Sequence, residues 1–591
     1  MPEVVMDVNI KHRTKHEAVY EEGKRLGLST LLIDIVSARI DDPKILSTVV
    51  EPTIDVLTSA LAFTDGERAV ERIVDAIRFD QTIGILTDYD VDGITSHTVI
   101  LKSLRDIFKV APTKLHSIIG HRVNDGYGIS LSIVDTVLQL DPKPDLIITA
   151  DMGSSDEPRI KLLKEAGIDV VVTDHHALPV EGHPVSAYAC INPSRVDCNY
   201  PDSTIAGCMV AWLTMLQTRA SLIAHNLRPA STPLLTELLS YVALGTIADC
   251  VSVGNSVTNR LIVKRGLQVM NRLQQPCWKA IVQILGEDAL PFDADTLGFQ
   301  LAPRINARSR LDDPYAALHY MEADNVDDAL RNLEILNSDN EDRKAIERTM
   351  TEEALLQIQP AVEADLPVLV AFLEKGHPGV QGIVASRITE RYGKPSFVLT
   401  PTLDDTKVGG SGRSVDSIHI RNAMQRLHES HPDVFVKFGG HAGAAGLTMY
   451  RAKIDVFKDA LNRIIIEELN GQRLVPQIST DGELSPDLLT LKTIRELNAL
   501  APYGRGFDRP SFDGEFTLKD YRLIGKDKTH ASLTLSVGDK ELRAIWFKCV
   551  EEGQAFPFAI NQRLRCVYQL TPNTFRGKTT LQLMLNHVNH V

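Results

Sequence analysis

Three short apolar runs, each ending at an aspartate, set the pattern of the first half of the chain. Thr82–Thr87 leads to Asp88, Asp145–Ala150 to Asp151 and Asp169–Thr173 to Asp174, and helical spacing follows each. Continuous apolar strands alternating with helices predict a parallel sheet covered on both faces. The ligand crevice of such a sheet lies beyond the carboxyl ends of its strands, where all three aspartates are expected. From Asn325 to Gln359 the chain is rich in Leu, Glu, Arg, Asn and Ala without Gly or Pro, which predicts a long helix connecting two lobes. A second α/β region is expected over Leu366–Leu469, with a strand at Val368–Leu373 and glycine-rich segments at Gly409–Gly412 and Gly439–Gly446. Beyond Phe512, short alternating runs such as Ala531–Val537 and Leu542–Phe547 suit a small β-barrel. The expected divisions are an N-terminal segment (1–50), the first α/β domain (51–320), the connecting helix (321–360), the second α/β domain (361–472) and the barrel (473–591).

A length of 591 residues agrees with three or four domains, and 43% hydrophobic with 24% charged residues is an ordinary globular balance. The stretch Met1–His16 has no continuous apolar run suited to export or membrane spanning, so a cytoplasmic protein without a membrane partner is expected. Seven cysteines with no CxxC pair fit reduced thiols better than disulfides or structural zinc. The net charge of −14 by itself disfavours a nucleic-acid partner. Its distribution softens that conclusion. Ser511–Val591 holds eleven Lys and Arg against eight Asp and Glu, a net +3, leaving −17 for the rest.

The strongest motif is Asp88-Tyr89-Asp90-Val91-Asp92-Gly93, directly after an apolar strand. An EF-hand loop opens in the same way but needs a glutamate at its twelfth position, where this chain has Val99. Asp151-Met152-Gly153-Ser154-Ser155, Asp174-His175-His176 and Asp249 follow. One aspartate at a strand end is more often a helix cap than a ligand. Four such acidic sites beside adjacent histidines suit Mn²⁺ or Mg²⁺, and a shared carboxylate would hold two ions at the separation used for in-line phosphoryl displacement.

The first motif followed by Asp174-His175-His176 resembles the DHH phosphoesterases in order and spacing. Further segments resemble the RecJ nucleases within that superfamily: Arg122–Gly128, Val242–Asp249, Pro303–Ala307, Pro378–Arg387, Gly410–Ser414 and Gly439–Gly446. The fold this implies is a multidomain α/β protein: a parallel-sheet DHH domain, a long connecting helix, a second α/β DHH-associated domain and a C-terminal OB-fold β-barrel. The implied activity is a 5′-to-3′ exonuclease for single-stranded DNA that releases 5′-mononucleotides in repair and recombination. By the same resemblance Asp88, Asp90, Asp151, His175 and Asp249 bind two Mn²⁺ or Mg²⁺ ions, with Asp151 shared. His176 faces the scissile phosphate, and Asp92 and Asp174 serve as ligands or orient one. Arg122, Tyr127, Arg304 and Asn306 are implied to bind the strand end, and Ser411, Arg413, Gly440 and His441 to line the substrate path. In the barrel, Lys526, Lys528, His530, Trp546, Phe547, Phe575, Arg576 and Lys578 combine aromatic platforms with cations. Trp546 and Phe547 are adjacent, so one of them is expected in the core.

The implied partners are single-stranded DNA with a 5′ end, single-stranded-DNA-binding protein and a recombination helicase, for an enzyme acting as a monomer. Two other readings are a small-substrate DHH phosphodiesterase and a catalytically silent replication scaffold. The barrel argues against the first and the complete Asp/His set against the second. Asp125, Arg308-Ser309 and Phe507 depart from the RecJ pattern, which puts end recognition in question. The tail after Gln477 is expected to be removable without loss of the metal-binding lobe.

Overall fold

Ile83–Thr87, Leu146–Ala150 and Asp169–Thr173 are dominated by apolar and β-branched side chains and are buried along almost their whole length, as strands covered on both faces must be. In the computed structural model, which describes residues 8–122, 125–311 and 314–591, they are strands β2, β4 and β5, counted from β1 (Asn9–His12). With β3 (Leu115–Ile119) and β6 (Ala189–Ile191) they form one parallel sheet in the order β3-β2-β4-β5-β6. Alternate side chains serve opposite faces. Ile83, Ile85, Ile148 and Val171 pack with the helices Val91–Lys102 and Gly207–Ala224. Leu86, Ile147, Val170 and Val172 pack with Leu131–Gln139 and Glu157–Glu165. Asp88, Asp151 and Asp174 therefore leave the carboxyl ends of three adjacent strands, as the run pattern required.

This sheet belongs to a unit made of residues 15–340 and 497–509. Arg260 binds the distant 497–509 segment to the rest. Its guanidinium is fully buried, donates to the carbonyls of Val49, Leu500 and Pro502, and lies 4.3 Å from the centre of the Phe507 ring. No carboxylate is among its described partners. Phe507 thus departs from the RecJ pattern for a structural reason, because its ring is fully buried and covered by this cation. The tail after Gln477 is accordingly not a detachable appendage, which corrects the expectation from sequence.

The other unit comprises residues 8–14, 341–496 and 510–591. The helix Val326–Glu363 runs from one unit into the other. It passes through Pro360, three residues beyond which it ends, so the proline costs one hydrogen bond in the closing turn. A mixed sheet in the order β10-β11-β9-β8-β7 contains β7 (Leu369–Phe372), β8 (Ser396–Pro401), β9 (Lys407–Arg413), β10 (Phe435–Gly440) and β11 (Ala444–Tyr450). Gly409–Gly412 is therefore strand. Its backbone groups are committed to ladders with β8 and β11 on both sides.

Next, β12 (Gln477–Thr480) pairs in parallel with β1. The barrel is closed by β13 (Phe512–Ile524), β14 (His530–Val537), β15 (Lys540–Trp546), β16 (Arg563–Phe575) and β17 (Lys578–His590) in the order β13-β14-β15-β17-β16. Trp546 is in its core and Phe547 is 52% exposed, as their adjacency demanded. Among the described residues no helix is long and apolar enough to cross a membrane.

Candidate metal centre and active site

Asp90 caps the Val91–Lys102 helix, its Oδ1 accepting from the backbone of Asp92 at 2.9 Å and of Gly93 at 3.1 Å. Gly93 lies against the Asp88 carbonyl, and a Cβ there would stand 2.2 Å from that oxygen. Only glycine lets the strand turn into the helix at this point. Asp92 spends both carboxylate oxygens on the N-terminus of the Gly207–Ala224 helix, accepting from Gly207 N at 2.7 Å and Cys208 N at 3.0 Å. It anchors that helix beside the site.

Donor atoms from three overlapping groups come within 4.8 Å of one another: Asp151 with His175 and His176; Asp92 with His175 and Asp249; Asp88 with Asp90 and Asp151. His175 Nε2 is 3.2 Å from Asp151 Oδ1 and 3.6 Å from Asp249 Oδ2. Asp151 Oδ1 and His175 Nε2 are both buried without a hydrogen-bond partner. Two such polar atoms facing each other in a carboxylate cluster are better satisfied by a cation than by each other. Hard carboxylate oxygens with imidazole are the donor set of Mn²⁺ and Mg²⁺, so the residues present fit such ions.

Burial, followed by repulsion from neighbouring carboxylates, pushes Asp88 and Asp249 up to about 8 and Asp151 well above its usual range. Carboxyls raised in the fold hold protons that the unfolded chain has already released. Stability without metal should therefore fall as pH rises from 3.8 towards about 8. Mn²⁺ competes with those protons, so the rise in melting temperature at saturating Mn²⁺ is expected to be larger at pH 8 than at pH 6. A thermal shift indifferent to pH would reject these carboxylates as the ligands.

His176 is held at its Nδ1, which lies 2.9 Å from Asp174 Oδ1 and 2.9 Å from the Tyr127 hydroxyl. Burial opposes charge on this ring, but the bond to Asp174 raises it to about 9. Asp174 is held well below the carboxylate range despite its own burial, because His176 and the backbone of Ser154, His175 and His176 all donate to it. The Tyr127 loop is fixed from beneath by Asp156, which sequence gave no reason to single out. Its Oδ2 accepts from Ile129 N at 3.0 Å, while Arg159 Nε donates to Ile129 O at 2.8 Å. In sequence Asp156 is indistinguishable from an ordinary residue at a helix start.

Asp125, where RecJ-like chains usually have glutamate, accepts from Ser130, Ser132 and the backbone of His121. Val123 and Asn124 of this segment lie outside the described residues. Arg122 stacks 4.3 Å from the Tyr89 ring centre, and its Nε is buried without a partner. Arg304, on the helix Ala302–Leu311, bonds Asn337 at 3.0 Å and the Gln300 carbonyl at 2.5 Å. Asn306 keeps a buried, unpartnered Oδ1. Arg308 forms an ion pair with Asp339 at 3.3 Å, and Ser309 donates to the Asn306 carbonyl.

In the other unit Ser411 and Arg413 project from the same face of β9. Arg413 Nη2 lies over Gly382 at the start of the Gln381–Tyr392 helix, 3.0 Å from where a Cβ would be. Gly440 is joined to Gly412 through Ala445 in the β10-β11-β9 register, and exposed His441 bonds Ala444 through its backbone. The sheet thus brings Ser411, Arg413, Gly440 and His441 to one end.

An open parallel sheet with an Asp/His cluster beyond its strand ends defines the DHH class of phosphoesterase, and the model of the DHH family N-terminal domain matches residues 82–246. The DHHA1 domain matches 365–467 and the RecJ OB domain 480–587. Single-stranded-DNA-specific exonuclease RecJ of Escherichia coli is 34% identical over 88% of this chain and 90% of its own length. The same enzyme of Haemophilus influenzae is 33% identical over 89% and 90%. The chain belongs to the RecJ family. The crystal structure of Thermus thermophilus RecJ in complex with Mn²⁺ superposes with a TM-score of 0.78 at 24% identity, covering 99% of this chain and 80% of that one. A structure of exonuclease RecJ bound to manganese gives a TM-score of 0.57 at 27% identity over 72% and 99%.

Proposed function

We propose that the chain is a metal-dependent 5′-to-3′ exonuclease that releases mononucleotides from single-stranded DNA. The observation that carries this reading is the convergence of Asp88, Asp90, Asp151, His175 and Asp249 around two buried atoms that lack partners. Relatives named for this activity, similar over most of the chain, support it. Bound divalent ions would supply a nucleophilic water and neutralise charge on the phosphoryl group. The chain's own residues do the positioning. Asp174 and Tyr127 fix the His176 ring through Nδ1, leaving Nε2 to donate to a phosphate oxygen. Arg122, stacked on Tyr89 beside Asp88, suits a terminal phosphate. Arg304 and Asn306 would border the same end. Ser411, Arg413 and His441 offer side chains to the strand. The barrel offers exposed Phe547 and Phe575, with Arg576 5.2 Å from the Phe575 ring centre. Working as a cytoplasmic monomer, such an enzyme needs unpaired strands, so it would follow a strand-separating helicase and share its substrate with single-stranded-DNA-binding protein.

The deciding assay follows labelled single-stranded DNA with and without Mn²⁺, comparing 5′ and 3′ labels. Immediate release of mononucleotide from the 5′ label, only with metal, is the expected result; early release from the 3′ label would overturn the polarity. In the same assay Arg122→Ala should narrow the rate advantage of 5′-phosphorylated over 5′-hydroxyl strands, by about tenfold for a lost charge-assisted pair. An unchanged ratio rejects the end-binding role of Arg122.

A further inference from the structure

The segment that Arg260 clasps also carries a cation to the rim of the metal centre. Gly504 and Phe507 exchange two backbone hydrogen bonds of 3.0 Å, closing a turn whose two central residues are Arg505 and Gly506. The turn is rigid and tightly seated. Phe507 is buried at its base, and Val253 N donates to the Arg505 carbonyl at 2.9 Å. Gly254 is so close to Gly506 that a Cβ there would stand 2.3 Å from the Gly506 oxygen. The surface it is seated on is the loop immediately following Asp249. At the tip the Arg505 side chain is exposed, and its one described hydrogen bond runs from Nη1 to the Cys250 carbonyl at 3.3 Å. Among the described residues no carboxylate forms an ion pair with it, although Asp249 precedes its acceptor in sequence.

We infer that Arg505 is a strand-contacting residue that grips a backbone phosphate of single-stranded DNA on the Asp249 side of the metal centre. The inference rests on the nuclease reading above and adds a residue to it. The six carboxylates of Asp88, Asp90, Asp92, Asp151, Asp174 and Asp249 carry more charge than two divalent ions cancel, so cations at the rim favour the approach of the strand. Arg122 borders the Asp88 side. Arg505 borders the Asp249 side, through its hydrogen bond to the carbonyl of Cys250, the next residue. A long bond to a neutral carbonyl holds it weakly, whereas the guanidinium fork fits a phosphate oxygen pair. The seated turn removes most of the backbone freedom that binding would otherwise have to restrict.

The competing role is mechanical: Arg505 could brace the Asp249 loop through Cys250. Steady-state kinetics of full-length wild type, Arg505→Ala and Arg505→Lys on single-stranded DNA, across Mn²⁺ and salt series, separate the two. For Arg505→Ala the KM for DNA should rise on the order of tenfold. Its slope of log KM against log salt should become shallower by roughly 0.7, the value of one single-strand phosphate contact. The kcat and the Mn²⁺ concentration for half-maximal rate should stay put, and Arg505→Lys should recover part of the KM. Unchanged KM and salt slope overturn the inference. So does a loss confined to kcat or to the Mn²⁺ requirement, which identifies a brace. A wild-type chain that does not cleave single strands fails at an earlier step, overturning the nuclease reading together with this one.

Discussion

Asp151→Asn and His175→Ala are each expected to lower hydrolysis of single-stranded DNA by about a thousandfold or more, because metal ions contribute several kcal/mol of transition-state charge stabilisation. The fold should survive both changes. Asp151 sits at the strand end with a positive φ of 60° and an orphaned oxygen, so the isosteric amide removes charge without removing packing. It also relieves repulsion in the buried cluster. The metal-free Asp151→Asn protein should therefore melt no lower than wild type, while the extra stability conferred by Mn²⁺ should shrink. Near-wild-type turnover of both variants at saturating Mn²⁺ would falsify the two-ion assignment. A melting temperature well below wild type would show that the loss came from misfolding.

The second large effect concerns where the chain can be cut. A protein ending at Gln477 lacks Leu500, Pro502 and Phe507, so the Arg260 guanidinium loses two carbonyl acceptors and its aromatic cover and keeps only the carbonyls of Val49 and Val253. Breaking a buried charged arrangement in this way costs about 3–5 kcal/mol, a large part of a typical domain's stability. A protein ending at Arg509 keeps the clasp, and Arg509 itself bonds Asp293 and Asp295. Of the three tryptophans, Trp212 and Trp278 lie in the metal-binding unit and Trp546 in the barrel. Both truncated chains therefore report by fluorescence on the metal-binding unit alone. The longer should show a cooperative transition and the shorter a strongly destabilised or absent one. Equal stability of the two would remove the structural role given to Arg260.

The parallel sheet was legible because strands buried on both faces leave uninterrupted apolar runs, and the aspartates ending them follow from that topology. The barrel and the long helix were legible for the same reason of period and composition. That Gly409–Gly412 is strand was not legible, because a glycine that relieves a close approach and one that packs beneath a side chain leave the same letter. The strand's ladders on both sides decide between them, and ladders are long-range. The role of Asp92 was open for a similar reason: the helix it caps begins 115 residues later. Arg260 was invisible altogether. Nothing in its neighbours announces a guanidinium sunk among carbonyls, two of which lie 240 and 242 residues further along the chain.

That clasp has a consequence for biosynthesis. The acceptors of Arg260 at Leu500 and Pro502 are made 240 and 242 residues after it. At about 5–20 residues per second the ribosome needs roughly 12 to 50 seconds to deliver them. Throughout that time the metal-binding unit carries an unfilled slot and a cation short of two of its acceptors, even though its sheet is already complete. The DHHA1 region at 365–467 emerges during the same wait. The first unit to begin folding is therefore unable to finish until most of the second has left the ribosome, and a nascent chain stalled before Pro502 should be more open to proteolysis than one released a few residues later.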